Sequence, residues 1–178
     1  LKPGSLALSA TPVTDPIDVS INNIVMVSAT GTVTDNNAGD DATPDTAVVT
    51  EQGALTVTMH VNSQDTDGSE HLVRILLTGV PDGVTVTGAS QVGANSWLLI
   101  YDAGDARMID AGGIDVPVEF IVGIGAGNGL STISMTALVQ DQGQSASTPA
   151  GIVTDSVEWT LDVALSDGGV YLPPAIDQ

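Results

Sequence analysis

The stretch Gln64-Asp65-Thr66-Asp67-Gly68-Ser69-Glu70 packs three carboxylates together, and the chain then turns apolar at Leu72-Val73-Arg74-Ile75-Leu76-Leu77. Like charges this close need solvent, a cation or hydrogen-bond donors. Arg74 is the nearest basic side chain in sequence, and the whole chain has three Lys and Arg against 22 Asp and Glu. The chemistry on offer is the binding of a hard divalent cation by oxygen. A helix-loop-helix calcium loop needs Gly at its sixth position and a bidentate Glu at its twelfth. Here Gly68 is fourth from Asp65 and Glu70 follows at once. A strand-loop-strand site fits the spacing better. Asp65 and Asp67 alternate onto one side, Gly68 permits a sharp bend, and Glu70 returns toward the same point. Calcium takes six to eight oxygens, so carbonyls, water and carboxylates from other strands must complete the shell.

Other acids offer the same chemistry with weaker spacing. Asp102, Asp105 and Asp110 form either a second calcium loop or a cluster in which Arg107 neutralises one carboxylate. Asp141 and Asp155 are candidates to reach across to the first loop. Asp35, Asp40 and Asp41 stand in a turn, where solvated Asp is common. Tyr101, at a strand end beside Asp102, is the aromatic best placed for a binding surface, while Trp97 and Trp159 sit in apolar runs and are expected in the core. A ligand carrying a carboxylate or vicinal hydroxyls would meet Tyr101, Asp102, Asp105 and Arg107, with the Gly-rich loop around Gly127 and Asn128 as a wall.

Other chemistries are disfavoured. His60 and His71 have no recognisable nucleophile partner, and there is no Cys. The run Gly123-Ile124-Gly125-Ala126-Gly127-Asn128-Gly129 lacks the spacing of a phosphate loop and any following helix. Sugar-cleaving sites need aromatic platforms, and five aromatics serve the entire chain. The expectation is no enzyme. A formal charge of -19 also argues against nucleic acid and anionic membrane, and makes divalent cations the natural counterions.

What must position these residues is read from periodicity. Leu55, Val57, Met59 and Val61 alternate with Thr56, Thr58 and His60; Ile133, Met135, Ala137 and Val139 alternate with Ser134 and Thr136. Val116, Val118, Phe120 and Val122 form another row, with Pro117 marking an edge strand or missing pairs. Val157, Trp159, Leu161 and Val163 close the set. Further strands are expected at 17–21, 24–28, 47–50, 72–78, 84–87 and 97–101. A helical turn is the reading near Asp102 to Ile109. About ten strands with no 3.6-residue period predict an all-β sandwich. Its core must be filled mainly by Val, Ile, Leu, Ala and Met. Residues 1 to 178 are expected to form one domain, with residues 1 to 45 as an extension adding strands. The start at Leu1-Lys2-Pro3-Gly4 reads as a boundary within a longer polypeptide, and Leu172-Pro173-Pro174-Ala175 as a linker or extended arm.

Glu51-Gln52-Gly53 before Leu55-Thr56-Val57, then Asp65-Thr66-Asp67-Gly68-Ser69-Glu70, then Thr78-Gly79-Val80-Pro81-Asp82-Gly83, resembles the tandem modules of giant bacterial repeats-in-toxin (RTX) adhesins. Trp97-Leu98-Leu99 stands where that family has a W-x-L strand. Gln52 replaces the family's usual Asp, and glycine-rich nonapeptide calcium repeats are absent. The resemblance implies an immunoglobulin-like or cadherin-like sandwich with Asp-rich loops, secreted by a type I system and folded outside the cell by several Ca2+ ions. It adds Glu51, from the acidic segment before a strand, to the candidate ligands. It further implies a monomeric module on the bacterial surface, neighbouring other modules of the same adhesin chain. Such a module either binds a host or cell-surface peptide or glycan, or serves as a calcium-stiffened extender.

Overall fold

A strand that alternates aliphatic and polar residues buries its apolar side only when two sheets close on those faces. The computed structural model describes residues 15–28, 31–34, 44–64, 69–101, 107–127, 129–141 and 151–164. It is an all-β sandwich. The strands are β1 (Ile17–Met26), β2 (Gly31–Thr34), β3 (Thr46–Thr50), β4 (Ala54–Ser63), β5 (Glu70–Thr78) and β6 (Val84–Val86), then β7 (Ser90–Gly93), β8 (Ser96–Ile100), β9 (Arg107–Met108), β10 (Ile114–Val122), β11 (Gly129–Asp141) and β12 (Ile152–Ala164). One sheet has the order β1-β4-β10-β6; the other runs β2-β3-β12-β11-β5-β8-β7, with β9 paired to β5. β3 lies parallel to β12, and the other pairings are antiparallel.

Residues before position 45 do supply strands, β1 at the edge of the small sheet and β2 at the edge of the large one. No α-helix occurs among the described residues. Where a helical turn was expected, Arg107–Met108 is instead extended and pairs with Leu72 and His71. No helix long and apolar enough to cross a membrane occurs among the described residues.

The core is the set of inward rows. Leu55, Val57, Met59 and Val61 of β4 face Ile133, Met135, Ala137 and Val139 of β11 and the odd residues of β12. Phe120 of β10 meets Trp159 of β12 edge-on, with ring centroids 5.0 Å apart, and so joins the two sheets. Two strands break strict alternation. A shift between Ile21 and Asn23 lets Val19, Ile21 and Ile24 all face inward, which fuses two expected strands into β1. A second shift, opposite Leu138 and Val139, makes Val73 the extra residue of β5. Such bulges reset which parity faces the core. Leu72 and Ile75 thereby share the inward side, and Glu70 joins them.

Edges are closed by specific groups. In β10, the Glu119 carbonyl accepts from Thr87 N–H and the Asp115 carbonyl from the Arg107 guanidinium, while Val122 N–H donates to Gly53 on the β4 side. Odd main-chain groups of β10 therefore point away from β4, and Pro117 is one of them. Its missing N–H costs no ladder bond with β4 and denies the open edge a donor. On β1, the outward N–H of Val19 is taken by Asp155 Oδ2 of the opposite sheet at 2.9 Å.

The strands fix two ends. Ile17 is opposite Ser63, and Thr50 is opposite Ala164. Ten residues of β4 separate these levels, a span of roughly 30 Å. The described chain thus begins at the Glu70 end and finishes at the Glu51 end.

Candidate metal and ligand site

The Glu70 end gathers buried oxygen. Because of the bulge at Val73, the first residue of β5 turns its side chain inward, and Glu70 is 1% exposed. Its cross-strand neighbour is Asp141, the last residue of β11 and 5% exposed. Ser63, also buried, ends the inward row of β4, and the main chain of Glu70 receives the Ile109 amide at 2.9 Å. Gln64 N–H holds Pro16 O at 3.1 Å, which fixes the start of β1 to the same level. Directly opposed residues in an antiparallel pair have Cα atoms about 4.5–5.5 Å apart. Two buried carboxyl groups carried on neighbouring positions need a cation, a proton or hydrogen-bond donors to offset their repulsion.

Glu70 therefore belongs to a strand, where sequence reading placed it in a loop. Asp65 and Asp67, which lie outside the described residues, belong to the segment that leaves β4 after Gln64 and rejoins the chain at Ser69. Asp102 and Asp105 also lie outside them, as do Asp35, Asp40, Asp41 and Asn128. Among the described residues, no three His, Asp or Glu side chains form a metal-holding group.

The remaining expected ligands are dispersed. Asp155 is opposite Ala137, four positions along β11 from Asp141, and one of its oxygens is committed to Val19 N–H. Asp110 is exposed, and its carbonyl closes a turn by accepting from Gly112 and Gly113. Glu51 sits at the opposite end, its amide on Ala164 O at 3.3 Å. It and Glu70 cannot serve one ion.

Tyr101 is half-buried against the core beside the Glu70 end, its amide bonded to Val73 O at 2.9 Å. The Arg107 guanidinium lies 5.4 Å from its ring centroid. Burial raises the phenol above its ordinary value, and Arg107 partly offsets this by favouring the phenolate. The same guanidinium donates to the Asp115 carbonyl at 3.4 Å, so it braces the gap between the sheets. Gly127 lies in the β10–β11 connection at the Glu51 end, where Gly123 N–H meets Gly83 O. The expected wall around Tyr101 is therefore not made by Gly127; the length of β10 separates them.

One polar cluster was not anticipated. On the solvent face of the small sheet, Asp115 Oδ1 lies 2.7 Å from His60 Nδ1, and Asn22 Nδ2 donates to Oδ2 at 3.1 Å. A Cβ at Gly113 would stand 2.5 Å from His60 Nε2, so the ring leans over that glycine. Ser20 shares the register row but lies on the other side of His60. The polar face of β4 was readable; the partner of His60 depends on a register 55 residues away.

No family model matches the chain, and no curated protein matches it in sequence. Among solved structures, AvmM, described as catalysing macrocyclization in alchivemycin A biosynthesis, aligns at TM-score 0.42 and 10% identity, over 90% of this chain and 94% of its own. A protein of unknown function from Porphyromonas gingivalis W83 aligns at TM-score 0.40 and 15% identity over 87% of this chain. The present chain spans 50% of that protein's length. A cohesin module from a Clostridium perfringens ATCC13124 family 33 glycoside hydrolase aligns at TM-score 0.32 and 14% identity, over 80% of this chain and all of its own. Likenesses at these scores carry no inference about activity.

Proposed function

We propose that the protein is a calcium-braced, immunoglobulin-like module of a bacterial surface adhesin that binds a peptide or glycan at its Glu70 end. The observation that carries this reading is the opposition of Glu70 and Asp141, two buried carboxyl groups on neighbouring strands. The donor set is all hard oxygen, which suits Ca2+ and not a thiolate- or imidazole-seeking metal. Glu70 and Asp141 would hold the ion together with Asp65 and Asp67 from the intervening segment. Calcium would supply neutralisation of these acids and a coordination position for a ligand oxygen. Tyr101 offers a rigid amphipathic contact near this end, with Arg107 stacked on it.

A second reading, an extender with no ligand of its own, is favoured by one feature. β1 begins at the Glu70 end of the sandwich and β12 finishes at the Glu51 end, a strand placement that would pass tension through the module.

Peptide and glycan arrays probed in calcium and in EDTA separate the two. The binding reading expects a ligand that is lost in EDTA and weakened by Asp105→Ala at unchanged melting temperature. A folded, calcium-loaded protein that binds nothing on either array leaves the extender. If the protein's melting temperature is equal in ~10 mM calcium and in EDTA, the calcium reading fails, since a site of ~0.1 mM affinity stabilises by about 2.7 kcal/mol at that concentration.

A further inference from the structure

The outward face of the small sheet carries a row of aliphatic side chains at its Glu51 end. Ala54 of β4 stands opposite Ile121 of β10, and Ile121 opposite Thr85 of β6. On the other side of β4, the N–H groups of Val27 and Ser28 both donate to Ala54 O. One row nearer the middle, Thr56 lies between Val25 and Glu119. Val25 is 48% exposed, Val27 55% and Ile121 42%. Glu119, the acid of these two rows, is engaged, since its Oε1 accepts from Thr87 Oγ1 at 2.7 Å.

Singly exposed aliphatic residues are normal on a surface. What sets this row apart is the chain that leaves beside it. β12 ends at Ala164, whose carbonyl accepts from Glu51 N–H at 3.3 Å, and the turn closed by Gly53 N–H on Thr50 O leads from there to Ala54. Ala164 and Ala54 are thus about one sheet-to-sheet spacing apart, ~10 Å. Residues 165–178 lie outside the described ones. In sequence they open with Leu165-Ser166-Asp167-Gly168-Gly169, which ends in a turn signal, and continue with Val170-Tyr171-Leu172 and Pro173-Pro174. Five residues span at most about 17 Å, enough to bring Val170 round the Thr50–Gly53 turn and onto the row. In an extended run Val170 and Leu172 share one side, ~6.8 Å apart, and the strands carrying Val27 and Ile121 are ~9.6 Å apart across β4. The other undescribed segments lead elsewhere. Residues 35–43, 102–106 and 142–150 each join two strands of the large sheet, and 1–14 and 65–68 adjoin the Glu70 end. Ala29 and Thr30 join Ser28 to Gly31, where a Cβ would meet Val48 O, so that link turns toward the large sheet.

We propose that Val170 and Leu172 dock on Val27, Ala54 and Ile121, so that the arm following β12 straps over the outward face of the small sheet. A tether of five residues holds the arm near the row at an effective concentration in the mM range, so a few aliphatic contacts suffice to seat it. Pro173-Pro174 then continues as a stiff extended piece and sends the chain away on the small-sheet side. A second copy of the chain fits the row less well. It would bring another charge of -19, and the row is far smaller than the roughly 800 Å2 per partner of a stable interface. The strap rests neither on the calcium reading nor on a ligand.

The test uses the 178-residue chain in calcium, and the absence of Cys makes a disulfide a specific readout. Ile121→Cys combined with Leu172→Cys should close an intramolecular disulfide at least tenfold faster than Leu130→Cys combined with Leu172→Cys. Leu130 is the control because it is exposed and stands opposite Asp162 of β12, on the outward face of the other sheet. Val170→Asp added to the first pair should slow closure to the control rate. Without cysteines, Val170→Asp with Leu172→Asp should uncover the row and raise the fluorescence of an apolar dye, and Val27→Ser with Ile121→Ser should cancel that rise. Cooperative thermal melts show that each variant is folded. Equal closure rates for the two cysteine pairs would overturn the proposal. So would disulfides formed only between molecules, or dye fluorescence that the Asp variants leave unchanged.

Discussion

Asp141→Asn should stabilise the protein in EDTA and lose most of that advantage in calcium. Asp141 and Glu70 are cross-strand neighbours and buried. If the two charges stand at the ~5 Å of directly opposed Cα atoms, with an effective dielectric near 20, their repulsion is about 3 kcal/mol. Without a cation, removing one charge relieves that repulsion and the variant should be more stable than the wild type. For a chain of this size about 1 kcal/mol moves the melting temperature by roughly 2–4 °C, so the gain in EDTA should reach roughly 6–12 °C. In ~10 mM calcium the wild type recovers about 2.7 kcal/mol from a site of ~0.1 mM affinity, and the variant loses most of that. The two melting temperatures should then converge. Thermal melts followed by circular dichroism, on wild type, Asp141→Asn and Glu70→Gln in both buffers, read this directly, with Asp162→Asn on the solvent face as the control. If Asp141→Asn melts below wild type by the same amount in both buffers, the pair is held by protein groups alone and the cation argument collapses.

Gly79→Ala should cost more than about 2 kcal/mol, because its φ is +78° and an added Cβ would stand 2.1 Å from Thr132 O. Gly88→Ala, at φ +77° with only Leu99 Cδ2 at 3.8 Å, should cost about 1 kcal/mol; equal melting temperatures for the two would refute the steric argument. Trp159 is fully buried with its indole N–H lacking an acceptor, so Trp159→Phe should fall within about 1 kcal/mol of wild type while Trp159→Ala costs about 3–5 kcal/mol. In a Tyr171→Phe background, tyrosinate absorbance should show Tyr101 ionising above its ordinary value of 10.0, and higher still in Arg107→Ala. A folded pKa raised above the unfolded one gives full stability below pH ~10 and a loss as pH climbs through the folded value, so alkaline melts should fall in that window. An ordinary titration, or a downward shift in Arg107→Ala, would contradict it.

Much of the sandwich was readable because its central strands are regular. Leu55 to Val61, Ile133 to Val139 and Val157 to Val163 alternate without interruption, and each row faces the core. Pro117 also reported its position, since a residue without an N–H is tolerated only where the ladder is open. Reading failed where backbone geometry intervenes. The bulges at Asn22 and Val73 each insert a residue, which pattern counting renders as a gap or a false parity. β7 is exposed on both faces and has no alternation to detect. The acidic motif pointed to Glu70, but its burial beside Asp141 follows from a pairing 71 positions away in sequence. Glu51 was drawn into the same reading by a motif, and only the length of β4 shows that it stands at the other end.

The positions of β1 and β12, the first and last of the described strands, decide how they would carry load. A pull applied at Asp15 and Ala164 acts in opposite directions along strands at opposite ends of the sandwich. β1 would have to slide along β4, and β12 along both β11 and β3, before either could leave its sheet. Hydrogen bonds in that geometry bear the force together in shear; in peeling they would open one at a time. From Gly129 opposite Val163 to Gln140 opposite Ile152, the whole β11–β12 ladder would have to fail at once. Tension along this axis meets the sandwich in its stiffest direction.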